Sequence, residues 1–485
     1  MKKIVIIGSG TAGLIAAAMI NNYWKDEVSI SCYYNANSKN IAVGESTTPL
    51  FRLLLAHLGI STEEFIKNLN GKVSVKLGIN FKNWIPNMEY FHGFQEITQG
   101  DPENKSSFYS IVDKKFNGGV LYNEATTTIP NQPFETYNHA YHIDTQELSE
   151  YLFKKLGNKV NFIDDIVEKV NTDGKNITSL EFKNGGNVEA DFYIDASGFN
   201  TVLFKHLNPK WNDLLDCLPI DRAIPQQVSY DFKEIPSYTL AEATENGWIW
   251  QIPIGKRYGT GYLYSSRFTS DEEARKKYNE WLVKNFNTEL QNDRIISYKP
   301  GYYEDCWIGN CMAIGLSSGF VEPLESTGIQ IIISQIQEFL TINSTLKNLE
   351  YNKYVVNKSN RTLYENIVDF ICLHYNTNRT DSEFWRYMTN NKTKWVKDFD
   401  EKCREEFIDS RTCYKERVFW GVDSFIQISE GLKMFDRQSI KNFLDSKIDG
   451  KDIWAEAMGM HQYIENEKKK IKKISHKKVL DHITK

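Results

Sequence analysis

Three stretches of this 485-residue chain carry residues whose type and spacing could do chemistry. The first is Gly8-Ser9-Gly10-Thr11-Ala12-Gly13, directly after the apolar run Ile4–Ile7. Between a strand and a helix, glycines at that spacing suit dinucleotide phosphates, the alternative being a purely structural glycine turn. Gly8 allows the tight turn, Gly10 lets backbone approach a pyrophosphate, and Gly13 lets the helix pack closely on the strand. The helix N-terminus adds N–H donors and a positive dipole. The second is Lys76, in Val75-Lys76-Leu77-Gly78. An alternating strand commonly carries a lysine on its wet face, but a buried lysine drops its pKa readily and becomes a compact donor or a reactive amine. The third is Glu322-Pro323-Leu324-Glu325-Ser326-Thr327-Gly328. Its Pro and Ser/Thr residues read as helix-start signals, which simple capping would explain.

These residues need elements to position them. Ile4–Ile7 reads as a parallel strand buried on both faces, Leu14–Ile20 as a helix, and Glu27–Tyr34 as a second strand, giving an N-terminal β-α-β unit. An acidic residue should close that second strand to hold a ribose hydroxyl; Cys32-Tyr33-Tyr34-Asn35 stands there instead. From Val73 to Phe81 apolar residues alternate strictly with Ser74, Lys76, Gly78 and Asn80, the period of a strand. A helix is predicted over Asp144–Leu156, and Asp173-Gly174 marks a hairpin-type turn. Strands dominate from about 226 to 265, a long helix runs from about Thr327 to Leu340, and the chain is mainly helical from about 350. The Lys-rich tail from Glu465 to Lys485 reads as a solvated amphipathic terminal helix.

Composition narrows the class. The chain is 41% hydrophobic and 25% charged, ordinary for a globular protein, and its net charge of −5 argues against nucleic acid as a partner. Seven scattered cysteines without a C-x-x-C suggest a reducing, cytoplasmic setting and neither a disulfide framework nor a metal site. The glycines break the N-terminal apolar run, so a leader is not expected, and with no stretch of about 18 apolar residues neither is a membrane partner.

Two later motifs favour FAD over NAD. Ile194-Asp195-Ala196-Ser197-Gly198 resembles the strand-end motif of flavin monooxygenases, and Ala313-Ile314-Gly315 resembles their second flavin contact, with Leu316 in place of the usual Asp. Gly247-Trp248-Ile249-Trp250-Gln251-Ile252-Pro253 fits the G-W-x-W-x-I-P signature of the flavin-dependent halogenases; read alone, it would be a strand with two packed tryptophans. From residue 1 to about 430 the chain resembles that family, particularly its tryptophan halogenase branch.

The resemblance implies specific roles. Lys76, in the family's K-L-G context, would be the catalytic amine that hydrogen-bonds hypohalous acid or forms a haloamine. Glu325 would be the second catalytic residue, polarising the hypohalous acid or accepting the ring proton, with Ser326 beside it. The N–H groups of Thr327 and Gly328 would hold the halide. Val43-Gly44-Glu45-Ser46-Thr47 resembles the family's flavin strap, and His92-Gly93-Phe94 the segment lining the substrate ring. Trp248 and Trp250 would keep the substrate from the flavin, and Phe419-Trp420 would form an aromatic wall. Ser424-Phe425 stand where tryptophan halogenases carry adjacent tyrosines for the amino-acid part of the substrate. Free tryptophan is therefore not the expected substrate, and a free indole, a phenol or a larger indole-bearing metabolite fits equally well.

The expected fold is α/β with an α+β substrate region. A flavin-monooxygenase-like, Rossmann-type module spans 1–345, and a mainly helical region over 346–485 covers the substrate pocket. The expected reaction uses reduced FAD from a separate NAD(P)H-dependent reductase, O2 and a halide to halogenate an electron-rich aromatic ring. A flavin-dependent aromatic hydroxylase would share the flavin motifs and is the rival reading. A homodimer is the family-level expectation.

Overall fold

The computed structural model describes residues 2–37, 44–94, 124–292, 294–343, 349–405, 408, 420–446 and 450–485. Val43 and Phe419 lie outside them. The chain forms two compact units, each built from three separated segments.

The first unit comprises Met1–Val73, Ile143–Leu215 and Tyr298–Glu365. Its centre is a six-stranded sheet in the order Trp307–Ile308, Cys311–Ala313, Phe192–Asp195, Lys2–Ile7, Val28–Tyr34, Asn161–Asp164. All its strands pair in parallel except the edge strand Trp307–Ile308. A parallel sheet needs cover on both faces, so its strands read as apolar runs. Val5, Ile7, Tyr193, Cys311 and Ala313 sink into one cluster with Leu203, Phe204 and Leu207. The helix Thr11–Trp24 packs against Thr327–Ile342, with Trp24 edge-on to Phe339 at 5.8 Å. The helix predicted from Asp144 begins at Thr145, because the Asp144 carboxylate caps it by accepting from the N–H groups of Gln146 and Glu147. The Asp173-Gly174 turn joins the antiparallel strands Val167–Thr172 and Ile177–Phe182, as expected.

The second unit comprises Ser74–His142, Asp216–Ser297 and Asn366–Lys485. Its main sheet has seven strands in the order Ile296–Ser297, Arg222–Ser229, Arg257–Tyr264, Gly247–Ile254, Tyr238–Ala243, Gly78–Lys82, Glu89–Gly93. Neighbours pair antiparallel except Tyr238–Ala243 with Gly78–Lys82. Tyr262, Tyr264 and Ile249 pack against Ala274, Tyr278 and Leu282 of the helix Asp271–Phe286.

Two expectations are corrected here. The alternating stretch 73–81 is two strands, Val73–Lys76 and Gly78–Lys82, and its polar face is not wet: Ser74, Lys76 and Asn80 are all buried. The Lys-rich tail is not a solvated terminal helix. After the helix Gly450–Lys470 it forms the strand Lys473–Ser475, which pairs antiparallel with Thr128–Pro130, and then the short helix His476–Ile483. The backbone pairing and the buried ring of His476 anchor it. Among the described residues no helix is long and apolar enough to cross a membrane.

Candidate active site

The flavin-type motifs meet in the first unit. Ile7 pairs with Asp195, and Asp195 with Ala313, all in parallel. The carboxyl ends of three neighbouring strands thus set Gly8–Gly13, Asp195–Gly198 and Ala313–Leu316 side by side, where open α/β sheets bind ligands. Gly8 has φ +110°, and a Cβ there would strike the Ala196 carbonyl; a Cβ on Gly13 would strike the Gly8 carbonyl. Beside Gly10 there is open space. The Thr11–Trp24 helix starts with no side-chain cap and no acidic residue in its first turn. Its N–H donors and dipole therefore suit a pyrophosphate. Thr11 and Ala12 form that first turn, and Ala12 faces Gly315.

Asp195 is fully enclosed. Its carboxylate accepts from the N–H groups of Leu203 (2.7 Å), Phe204 (2.9 Å) and Ser197 (3.0 Å) and from the hydroxyls of Ser197 (2.5 Å) and Ser317 (3.2 Å). Ser317 Oγ is also 3.0 Å from the Gly198 carbonyl and shares its one proton between the two acceptors. Asp195 thus fixes the Gly198 turn against the Gly315 turn. Gly198 and Gly315 adopt positive φ, 69° and 55°, and Leu316 is exposed. Gly44, at φ +94°, and the buried Thr47 flank exposed Glu45 and half-buried Ser46. They lead into the helix Pro49–His57, which packs on Thr327–Ile342.

Simple capping does not describe the 322–328 segment. Ser326 sits at the helix N-terminus in the left-handed region, φ +62°, and makes no side-chain cap. A non-glycine residue held there costs about 1–3 kcal/mol, and such strain clusters at functional sites. Glu325, 1% exposed, lies just outside the same terminus. The Thr327 hydroxyl is buried with no hydrogen-bond partner. Gly328 is exposed, with open space where a side chain would be. A helix N-terminus, an unpaired buried hydroxyl and a side-chain-free neighbour are features that could hold an anion.

Lys76 lies in the second unit and is 0% exposed. Its Nζ stands 4.9 Å from the centroid of the Phe94 ring, a cation–π distance. His92 and Phe94 are 6.2 Å apart, His92 and Phe370 are 5.9 Å apart, and Phe370 stacks on Trp420 at 4.0 Å. Lys76, His92, Phe94 and Trp420, separated in sequence, form one aromatic group. His92 Nε2 is 2.9 Å from the Ser424 hydroxyl. Gln427 brackets Gly93, accepting from its N–H at 2.9 Å and donating to its carbonyl at 3.4 Å. Trp248 and Trp250 share one face of the Gly247–Ile254 strand, 6.4 Å apart. A Cβ on Gly261 would enter the Trp250 ring, so that glycine lets the indole lie on the neighbouring strand.

A family model described as tryptophan halogenase matches residues 3–446. The chain belongs to the tryptophan halogenase family. It is 31% identical over 423 residues to the tryptophan 7-halogenase RebH of Lentzea aerocolonigenes, covering 79% of this chain and 78% of that one. It is 30% identical over 440 residues to the tryptophan 6-halogenase SttH of Streptomyces toxytricini, covering 82% of each. The solved tryptophan halogenase of Shewanella frigidimarina matches with a TM-score of 0.85 at 25% identity, over 100% of this chain and 98% of that one. As a member of this family the chain is a flavin-dependent halogenase, an oxidoreductase; the hydroxylase alternative is not favoured. The family acts on aromatic rings with flavin reduced by a separate enzyme.

Sequence reasoning missed several residues around Lys76. Ser74 donates to the Pro253 carbonyl (2.6 Å) and lies 2.9 Å from His142 Nδ1. His142 Nε2 lies 2.9 Å from the Thr239 hydroxyl. The Val75 N–H donates to His476 Nε2 at 2.9 Å. Burial, then the charge of Lys76, then His476 hold the His142 imidazole well below its ordinary pKa. Burial pushes His476 down to about 4. No motif announces these histidines.

Proposed function

We propose that this enzyme halogenates an electron-rich aromatic ring, indole-like or phenolic, through Lys76 and Glu325. Complete burial of Lys76 beside Phe94 carries the reading. Burial disfavours the ammonium, and a buried amine becomes available as a hydrogen-bond donor or nucleophile near neutral pH. When bound, reduced FAD with O2 supplies the two-electron oxidation that converts halide to hypohalous acid.

The chain's own residues supply the rest. Gly8–Gly13, with Gly44–Thr47, Gly198 and Gly315, hold FAD. The Thr327 hydroxyl and the N–H groups of Thr327 and Gly328 hold the halide. The Lys76 amine hydrogen-bonds hypohalous acid, or carries the halogen as a haloamine, and delivers it to the ring as an electrophile. The proton lost from the ring as the C–halogen bond forms passes to the Glu325 carboxylate. Position on the ring is then an effect of orientation, with His92, Phe94 and Trp420 as the wall. Ser424, bonded to His92, takes the place of the tyrosines that would hold an amino-acid group, which favours a free indole, a phenol or a larger indole-bearing metabolite over free tryptophan. The free cysteines and the need for a reductase suit the cytoplasm.

The test is an aerobic assay with FAD, a generic flavin reductase, NADH and chloride or bromide over a panel of indoles and phenols, read by mass spectrometry. A halogenated product is expected. Lys76→Ala should abolish it, a loss on the order of 10³-fold or more, while flavin binding persists. Normal product from that variant removes Lys76 from the chemistry.

A further inference from the structure

We infer that His142 and His476 are positioning residues for Lys76, and that the C-terminal segment Lys473–Ile483 serves to bring the second of them under the lysine strand. The inference rests on the reading of Lys76 as the catalytic amine.

Hydrogen-bond geometry orients both imidazoles and fixes His476 as neutral. The Ser74 hydroxyl has one proton, donated to the Pro253 carbonyl. It must therefore accept from His142 Nδ1–H. His142 Nε2 pairs with the Thr239 hydroxyl at 2.9 Å, and burial, then the charge of Lys76, hold the ring uncharged. In the same way, the Val75 N–H can only donate, so His476 Nε2 is an acceptor. His476 Nδ1 then carries the proton and points it at the Ile235 carbonyl, 3.2 Å away. Each ring has both nitrogens engaged and no charge of its own.

The two rings grip successive residues of the strand that ends in Lys76. His142 fixes Ser74, two residues before Lys76 and therefore on the same strand face. His476 holds the backbone N–H of Val75, the residue immediately before the lysine. In an all-apolar setting that N–H would be an unpaired buried donor, and the strand would be free to shift. A shift of about 1 Å at a reacting group can cost on the order of 100-fold in rate. Neutral rings also matter: a second cation beside Lys76 would disturb its proton balance, whereas an uncharged imidazole does not.

The tail then has a function its composition hides. The strand Lys473–Ser475 docks on Thr128–Pro130, and Ser475 caps the helix His476–Ile483 by accepting from the Lys478 N–H. This anchorage delivers His476 to Val75 from 401 positions away.

The experiment compares His476→Leu, His476→Gln, Thr239→Val and Lys76→Ala in the full-length protein. Thermal melts identify the folded variants. Product formation and oxidation of reduced flavin are followed together. We expect His476→Leu to lower kcat for halogenation about tenfold or more, with KM for the ring changed less than about twofold. Flavin oxidation should continue, now uncoupled from product. A glutamine amide oxygen can take the place of Nε2 as acceptor, so His476→Gln should recover most of the rate. Thr239→Val, which removes the hydroxyl partner of His142 with little change of volume, should lower kcat about threefold; it decides the matter if His476→Leu does not fold. Wild-type kcat in a folded His476→Leu or in Thr239→Val overturns the inference. A glutamine variant as poor as the leucine one also overturns it, because the hydrogen bond would not be what matters. If Lys76→Ala still makes product, the underlying reading of the lysine fails instead.

Discussion

The two units build their chemistry from different materials. In the first, backbone shapes the candidate site: glycines without room for a Cβ, helix N-termini without side-chain caps, and one enclosed carboxylate that holds two turns together. In the second, buried side chains do it. Lys76 lies over Phe94, His92 is held by Ser424, and two imidazoles grip the lysine strand. A backbone site tolerates almost no added atom but many exchanges of nearby side chains. A side-chain site tolerates changes of shape better than loss of a donor or acceptor.

The sharpest way to break this contrast is Gly13→Ala. One methyl group would strike the Gly8 carbonyl, so the loop must move or the helix must retreat from the strand. Overpacking of this kind costs about 1–3 kcal/mol or more. We expect FAD affinity, measured by flavin fluorescence titration, to fall about 100-fold or more, corresponding to about 3 kcal/mol. Near-native affinity would show that the loop is pliable and that the distinction between the units is overstated.

The same contrast explains what the sequence disclosed. Gly8, Gly10 and Gly13 were readable because the turn and the contact of Gly13 with the Gly8 carbonyl are local, although the close approach of Gly8 to the Ala196 carbonyl is not. Asp195, Gly198 and Gly315 were readable as motifs, although the turn-bracing role of Asp195 depends on Leu203, Phe204 and Ser317 and emerges only in three dimensions. Lys76 stood out by family resemblance, yet its strand period placed it on a wet face, whereas the whole strand Val73–Lys76 is buried. His142 and His476 gave no signal, since their partners lie 68 and 401 positions off. The tail misled because a run of lysines is usually a solvated face, and one buried histidine does not alter that average. The interleaving of three segments per unit likewise leaves no local mark.

A smaller effect tests the side-chain unit through pH. The His476 pKa is pushed from 6.5 to about 4 in the folded protein, chiefly by burial. Above about pH 6.5 the ring is neutral in both folded and unfolded chains and contributes no pH dependence. As pH falls from about 6.5 toward 4, the unfolded chain takes up a proton that the folded chain refuses, so stability is lost over that window. At about 1.4 kcal/mol per pH unit the loss approaches about 3 kcal/mol near pH 4. His142, also lowered, adds to it in the same direction. His476→Gln should therefore flatten part of the acid-side decline in Tm between pH 6.5 and 4.5. An unchanged slope would mean that other groups govern acid stability.

The smallest expected effect lies back in the backbone-built unit, at its one unpaired side-chain hydroxyl in the proposed anion cradle. Thr327 Oγ1 is buried without a partner, which ordinarily costs about 1–3 kcal/mol. If the hydroxyl serves only packing, Thr327→Val should stabilise the fold by about 1 kcal/mol and leave catalysis alone. If it faces a halide, the same variant should gain that stability and lose affinity, raising KM for chloride or bromide about tenfold while KM for the aromatic ring stays put. Steady-state kinetics at varied halide, set beside a thermal melt, separate the two. A halide KM that does not move would leave the cradle to the N–H groups of Thr327 and Gly328 alone, making this terminus as purely a backbone site as the glycine loop.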